Sequence, residues 1–140
     1  MLARLVLSQF IMQGINKKVL IVDSNDAFRT SLGNFLKGLG HEVFEGATGQ
    51  DAIDKASSIR PDLIMMDVQL PGLNGDEVTA RLKSNRNTRN IPVLINTGWT
   101  TTCNIEARVE RARDAGAAGV LYKPLQFPMV RNILRHYLMA

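Results

Sequence analysis

From Lys17 onward the chain alternates five times between short apolar runs of strand length and longer segments patterned for helix. Strand-length runs fall at Val19–Asp23, Leu63–Asp67, Ile91–Asn96 and Gly119–Tyr122, with a shorter, more polar one at Glu42–Glu45. Two of them, VLIVD and LIMMD, are almost continuously apolar, as strands are when helices cover both faces of a parallel sheet. Met65 and Met66 belong to that core. Phe28, Leu32, Phe35, Leu36 and Leu39 follow a helical period and stop at Gly40, a suitable residue to end a helix. Val130, Ile133, Leu134, Tyr137 and Leu138 repeat the pattern near the end of the chain. Weaker helical patterns lie around Ala52, Ile53 and Ala56, around Val78 and Leu82, and around Ile105, Val109 and Ala112. Such alternation predicts right-handed crossovers and a doubly wound α/β sheet with helices on both faces.

Composition narrows the function classes. A chain of 140 residues is large enough to bury a core as one domain. The single cysteine, Cys103, excludes an internal disulfide and a thiolate metal cluster, and fits a reducing, cytoplasmic setting. The formal net charge is +4, but the basic residues are dispersed over helical stretches (Arg81, Lys83, Arg86 and Arg89; Arg108, Arg111 and Arg113) without interleaved aromatics. Solvated helix faces are the expectation, with an acidic protein partner next and no nucleic-acid contact.

Residues 1–16 read as an N-terminal amphipathic extension ahead of a domain at 17–140, with Leu2, Leu5, Val6, Phe10 and Ile11 at helical spacing. The segment is too short and polar for a membrane span, which needs about 20 apolar residues. It also lacks the small-residue cleavage site of a signal peptide. Two readings stand. Either it is a helix packed on the domain or on a second copy in a homodimer, or translation begins at Met12.

Ligands of open parallel sheets bind beyond the carboxyl ends of the strands. The first run ends in Asp23 and the third in Asp67, while the fourth and fifth run into Thr97 and Lys123. Two carboxylates, a hydroxyl and an ammonium are thus predicted on one rim. Asp67 suits a nucleophile that forms an acyl phosphate. Asp23 beside it makes an anionic pocket for a hard cation such as Mg²⁺. Lys123 and Thr97 suit charge neutralisation and hydrogen bonding of a phosphoryl group. Pro124 stiffens the turn that aims the lysine, with a cis bond as one way to do so. Asp26 reads as a helix-start residue, and His41 and His136 as surface residues without ligand-spaced partners.

Residues 18 to 138 resemble the receiver domain of two-component response regulators. The resemblance is carried by VLIVDSNDAFR at 19–29, PDLIMMDVQLPGLNG at 61–75, IPVLINTG at 91–98 and AGAAGVLYKPL at 115–125. It implies a flavodoxin-like five-stranded sheet of order 2-1-3-4-5 and Asp67 as the phosphoacceptor. Thr97 and Lys123 are then the phosphoryl contacts, and the Gln69 carbonyl ligates Mg²⁺ with Asp23 and Asp67. Pro71, Gly72 and Gly75 match the loop after the acceptor. The implied partners are a sensor histidine kinase or histidine phosphotransfer protein and a downstream protein target, with no enzymatic activity beyond self-phosphorylation and slow self-dephosphorylation. As no output domain follows Ala140, action through protein contacts is expected.

The sequence departs from the family in three places. Ser24 replaces the second acid usual after the first strand, so Mg²⁺ is expected to bind weakly. Val120 holds the position of the usual switch aromatic, and Tyr122, on the same strand face, is a candidate substitute. The stretch from Thr97 to Lys123 is longer than usual by about one helical turn. It places Trp99 where an indole anchors a partner or shields the phosphoryl group from water, which predicts a long-lived signal. The alternative is a degenerate receiver that works without phosphate. Gln69 argues against a haloacid-dehalogenase-type enzyme, which needs an acid two residues after its aspartate nucleophile, and against a cobalamin module, which needs a histidine.

Overall fold

The computed structural model describes residues 16–98 and 105–138. The N-terminal extension and Trp99 therefore lie outside the described residues. Five strands, β1 (Lys18–Val22), β2 (Glu42–Gly46), β3 (Leu63–Asp67), β4 (Val93–Thr97) and β5 (Gly119–Tyr122), alternate with five helices. The helices are α1 (Asp26–Gly38), α2 (Gly49–Ile59), α3 (Gly75–Ser84), α4 (Ile105–Ala115) and α5 (Phe127–Leu138). All strand pairs are parallel, in the order β2-β1-β3-β4-β5. This is the doubly wound, flavodoxin-like order that the resemblance implies.

Side chains alternate across each strand, so the central strands feed two cores. Leu20, Val22, Ile64, Met66, Val93 and Ile95 pack against Ala52, Ala56, Val78, Leu82, Val109 and Ala112 of α2, α3 and α4. Val19, Ile21, Leu63, Met65, Leu94 and Leu121 face Leu32, Leu36, Val130, Leu134 and Leu138 of α1 and α5. Phe35 and Phe127 stack between those two helices, with ring centroids 4.4 Å apart. The polar second strand is an edge, where charged residues such as Glu42 and Glu45 discourage further pairing. No helix among the described residues is long and apolar enough to cross a membrane.

The helix ends show where the sequence reading needs correction. Asp26 is the first residue of α1, as the sequence reading has it, and Asn25 caps the helix, its Oδ1 accepting from Phe28 N at 2.9 Å. Gly40 ends the helix with φ of 95°. His41 N then donates to Leu36 O at 3.1 Å. His41 is buried, not on the surface, and its Nδ1 accepts from Lys17 N at 3.4 Å. His136 is exposed, as expected.

Candidate functional site

Parallel pairing brings the carboxyl ends of β1, β3, β4 and β5 to one rim. Asp23 follows β1 directly, Asp67 closes β3, Thr97 closes β4, and Lys123 follows β5. Lys123 joins the two acids. Its Nζ lies 2.5 Å from Asp23 Oδ2 and 3.1 Å from Asp67 Oδ2. It also sits 4.2 Å from the centre of the Phe28 ring, a distance at which cation and aromatic face attract. Each carboxylate is oriented by its own chain: Asn25 N donates to Asp23 Oδ1 at 2.9 Å and Gln69 N to Asp67 Oδ1 at 3.1 Å. The Lys123–Pro124 peptide is cis, and Lys123 N donates to Thr97 O at 2.8 Å.

Burial raises the Asp67 carboxyl above its ordinary range. The Asp23 charge adds to this, and the Gln69 N–H and Lys123 offset only part of it. For Lys123 burial opposes the charged form, yet the two carboxylates outweigh it and hold the ammonium above its usual value. The directions are compatible because the lysine has two counter-charges. Asp67, by contrast, takes the longer of two contacts and faces a second acid.

Thr97 is buried, and its Oγ1 has no hydrogen-bond partner among the described residues. Register pairs Thr97 with Tyr122 and Asp67 with Asn96. Thr97 therefore lies one residue beyond the ladder partner of Asp67, at the end of β4. Val120 is half-buried against the α2–α4 core, while Tyr122 is 40% exposed. Ser24 is exposed, as are Pro71 and Pro124. Gly75 brings α3 against the end of β3: a Cβ there would lie 2.5 Å from Asp67 O and 2.8 Å from Val68 Cα.

Several rim residues carry no mark in the sequence reading. Phe28 is legible there only as a core position. Arg29 donates to the Asp23 carbonyl and pairs with Asp26 and Glu45. Gly49 lets α2 touch the loop after β3, since a Cβ there would meet Leu73 O at 2.3 Å. Asn96 interrupts the apolar run of β4 one residue before Thr97, and that interruption is the signal that could have found it.

A rim of two acids and a lysine at the carboxyl ends of a 2-1-3-4-5 parallel sheet is the arrangement of a receiver-type signalling module. Residues 19–135 match the family model for the response regulator receiver domain, and the chain belongs to that family. Among curated relatives, the polar-differentiation response regulator DivK of Brucella anthropi is 34% identical, over 87% of this chain and 96% of the relative. Its counterpart in Brucella ovis is 32% identical, over 89% and 98%. Among solved structures, the receiver domain of the sensor histidine kinase PA1611 from Pseudomonas aeruginosa is 27% identical with a TM-score of 0.78, covering 89% of this chain and 99% of its own. That structure holds a magnesium ion coordinated in the active-site cleft. The Vibrio cholerae chemotaxis protein CheY4 is 28% identical with a TM-score of 0.77, covering 88% and 99%.

Proposed function

We propose that the chain is a phosphorylation-dependent switch that accepts a phosphoryl group on Asp67 from the phosphohistidine of a kinase or phosphotransfer protein. The observation that carries this reading is one ammonium, Lys123, bridging the buried Asp23 and the half-buried Asp67 carboxylates at the carboxyl rim of the sheet. In the transfer an Asp67 oxygen forms a bond to phosphorus as the phosphorus–nitrogen bond breaks. The bonding pair returns to the imidazole of the donor, leaving an acyl phosphate on Asp67. Gln69 N holds Oδ1 of the acceptor throughout. Lys123 follows the charge from the carboxylate to the phosphoryl oxygens, and the Thr97 hydroxyl supplies a neutral donor from the end of β4.

The residues at the rim fit a hard cation. Two carboxylates that share one ammonium already form a cradle for positive charge, and Asp23, Asp67 and the Gln69 carbonyl would hold Mg²⁺. When bound, the ion neutralises the phosphoryl oxygens and the paired acids. Exposed Ser24 contributes no carboxylate, so the site is weak. Val120 and Tyr122 on β5 form part of the surface read by a downstream protein.

The test is intact mass after incubation with Mg²⁺ and acetyl phosphate. The native chain is expected to gain one phosphoryl group, and Asp67→Asn none. A gain that survives Asp67→Asn moves the acceptor elsewhere. A native chain that gains nothing favours the second reading, a phosphate-independent interaction module, for which the observation is Ser24 in place of an acid.

A further inference from the structure

Asn96 is fully buried, and neither its Nδ2 nor its Oδ1 has a hydrogen-bond partner among the described residues. An orphaned buried amide is destabilising, and a leucine would fill the place without that penalty. Its neighbours on this sheet face do so: Leu94 on its own strand and Leu121 on β5 belong to the α1–α5 core. Register places Asn96 between Asp67 on β3 and Leu121 on β5. Paired residues of adjacent parallel strands share a face, about 4.8 Å apart. Asn96 is therefore the ladder neighbour of Asp67 on β4, on the face from which Lys123, two residues beyond Leu121, reaches Asp67.

We propose that Asn96 is a positioning residue of this site, with an amide that is orphaned at rest and satisfied in the phosphorylated state. The inference rests on Asp67 being the acceptor. At rest Lys123 supplies the contact to Asp67 Oδ2. When the ammonium moves out to the phosphoryl oxygens, Asn96 Nδ2 donates to the acyl group it leaves. A hydrogen bond made in one state and missing in the other biases the equilibrium between them. Asn96 would thus favour the phosphorylated form by destabilising the resting one. The orphaned Thr97 hydroxyl next to it shows the same pattern, with buried donors unmade at rest at the end of one strand.

The test compares the full native chain, Asn96→Leu and Asn96→Ser, each with Mg²⁺ and acetyl phosphate. Melting temperature is measured without the donor, and the ratio of phosphorylated to unphosphorylated chain by intact mass. Asn96→Leu is expected to melt above the native chain and to lower the ratio about tenfold, equivalent to about 1.4 kcal/mol. Asn96→Ser keeps a donor and is expected to recover part of the ratio. Asn96→Val makes the leucine comparison with less bulk if Leu overpacks the strand. An unchanged ratio in the apolar variants overturns the proposal, and a lower resting melting temperature beside it marks an amide that holds the fold. A native chain that takes up no phosphoryl group overturns the acceptor reading and this inference together. Native uptake with an indifferent Asn96→Leu overturns this inference alone.

Discussion

Lys123 serves Asp23 and Asp67 unequally. Asp23 has the shorter contact and is almost wholly buried, while Asp67 takes the longer one and opens toward the surface. A raised carboxyl pKa means that the folded state binds a proton more readily than the unfolded chain. The stability attached to Asp67 is therefore greatest at low pH. It falls as pH rises from the unfolded value toward the folded one, and the loss is complete above it. Asp67→Asn removes that loss and leaves Lys123 paired with Asp23. It is expected to stabilise the metal-free protein at neutral pH by on the order of 1 kcal/mol, with the gain shrinking as the medium is acidified. Urea melts of both chains across that range check it, and an Asp67→Asn chain less stable at neutral pH would mean that the Lys123 contact outweighs burial. At this scale Asp23, Asp67 and Lys123 were legible because each ends a strand. Asn96 and Phe28 were not singled out, because their importance comes from neighbours that only the folded register supplies.

Elements, not single side chains, hold the loop after Asp67. Residues 68–74 are clamped between α2 and α3, with Gly49 against Leu73 and Gly75 against Asp67 and Val68. Gly75 N donates to Val68 O at 2.8 Å, which closes the loop onto its own strand. A methyl group on Gly75 would collide with backbone atoms that cannot rotate away. Gly75→Ala is expected to destabilise the domain by about 1–3 kcal/mol and to reduce phosphoryl uptake, since relief of the clash must move the Asp67 backbone. Thermal melting with intact mass checks both effects, and native values for both would show a loop loose enough to absorb the methyl. A second tie joins α3 to α4, where Arg108 and Arg111 lie 3.4 and 3.0 Å from the buried carboxylate of Asp76. The strands were readable because burial on both faces leaves long apolar runs. The Gly49 contact was not, because Leu73 is distant in sequence. The start of α1 at Asp26 was legible, while its cap was not, since Asn25 and Asp26 are both good capping types and only backbone geometry separates them.

Across the whole molecule the two rims of the sheet carry different work. The carboxyl rim gathers the Asp23–Lys123–Asp67 charges and the unpartnered side chains of Asn96 and Thr97. The opposite rim is tied by ordinary bonds, with Asp62 Oδ2 accepting from Lys18 N at 2.8 Å and His41 accepting from Lys17 N. His41 sits at that rim with its pKa lowered, chiefly by burial and further by Lys17, against an opposing pull from Asp62. Its Nδ1 is an acceptor in the fold, so the neutral ring is the one that fits. The unfolded chain takes up the proton near pH 6.5, before the folded one does. Stability is therefore full above that pH and is lost as pH falls through the window between the unfolded and folded values. The slope is at most about 1.4 kcal/mol per pH unit for one proton. Asp67 has the opposite sign, and so the comparison belongs in an Asp67→Asn background, where its titration is absent. In that background His41→Gln keeps an acceptor but cannot titrate, and it is expected to flatten the fall in urea-melt stability between about pH 7 and pH 5. Equal slopes in the two chains would place the acid sensitivity elsewhere. A flattened slope would show that acid loosens this protein from the rim farthest from Asp67.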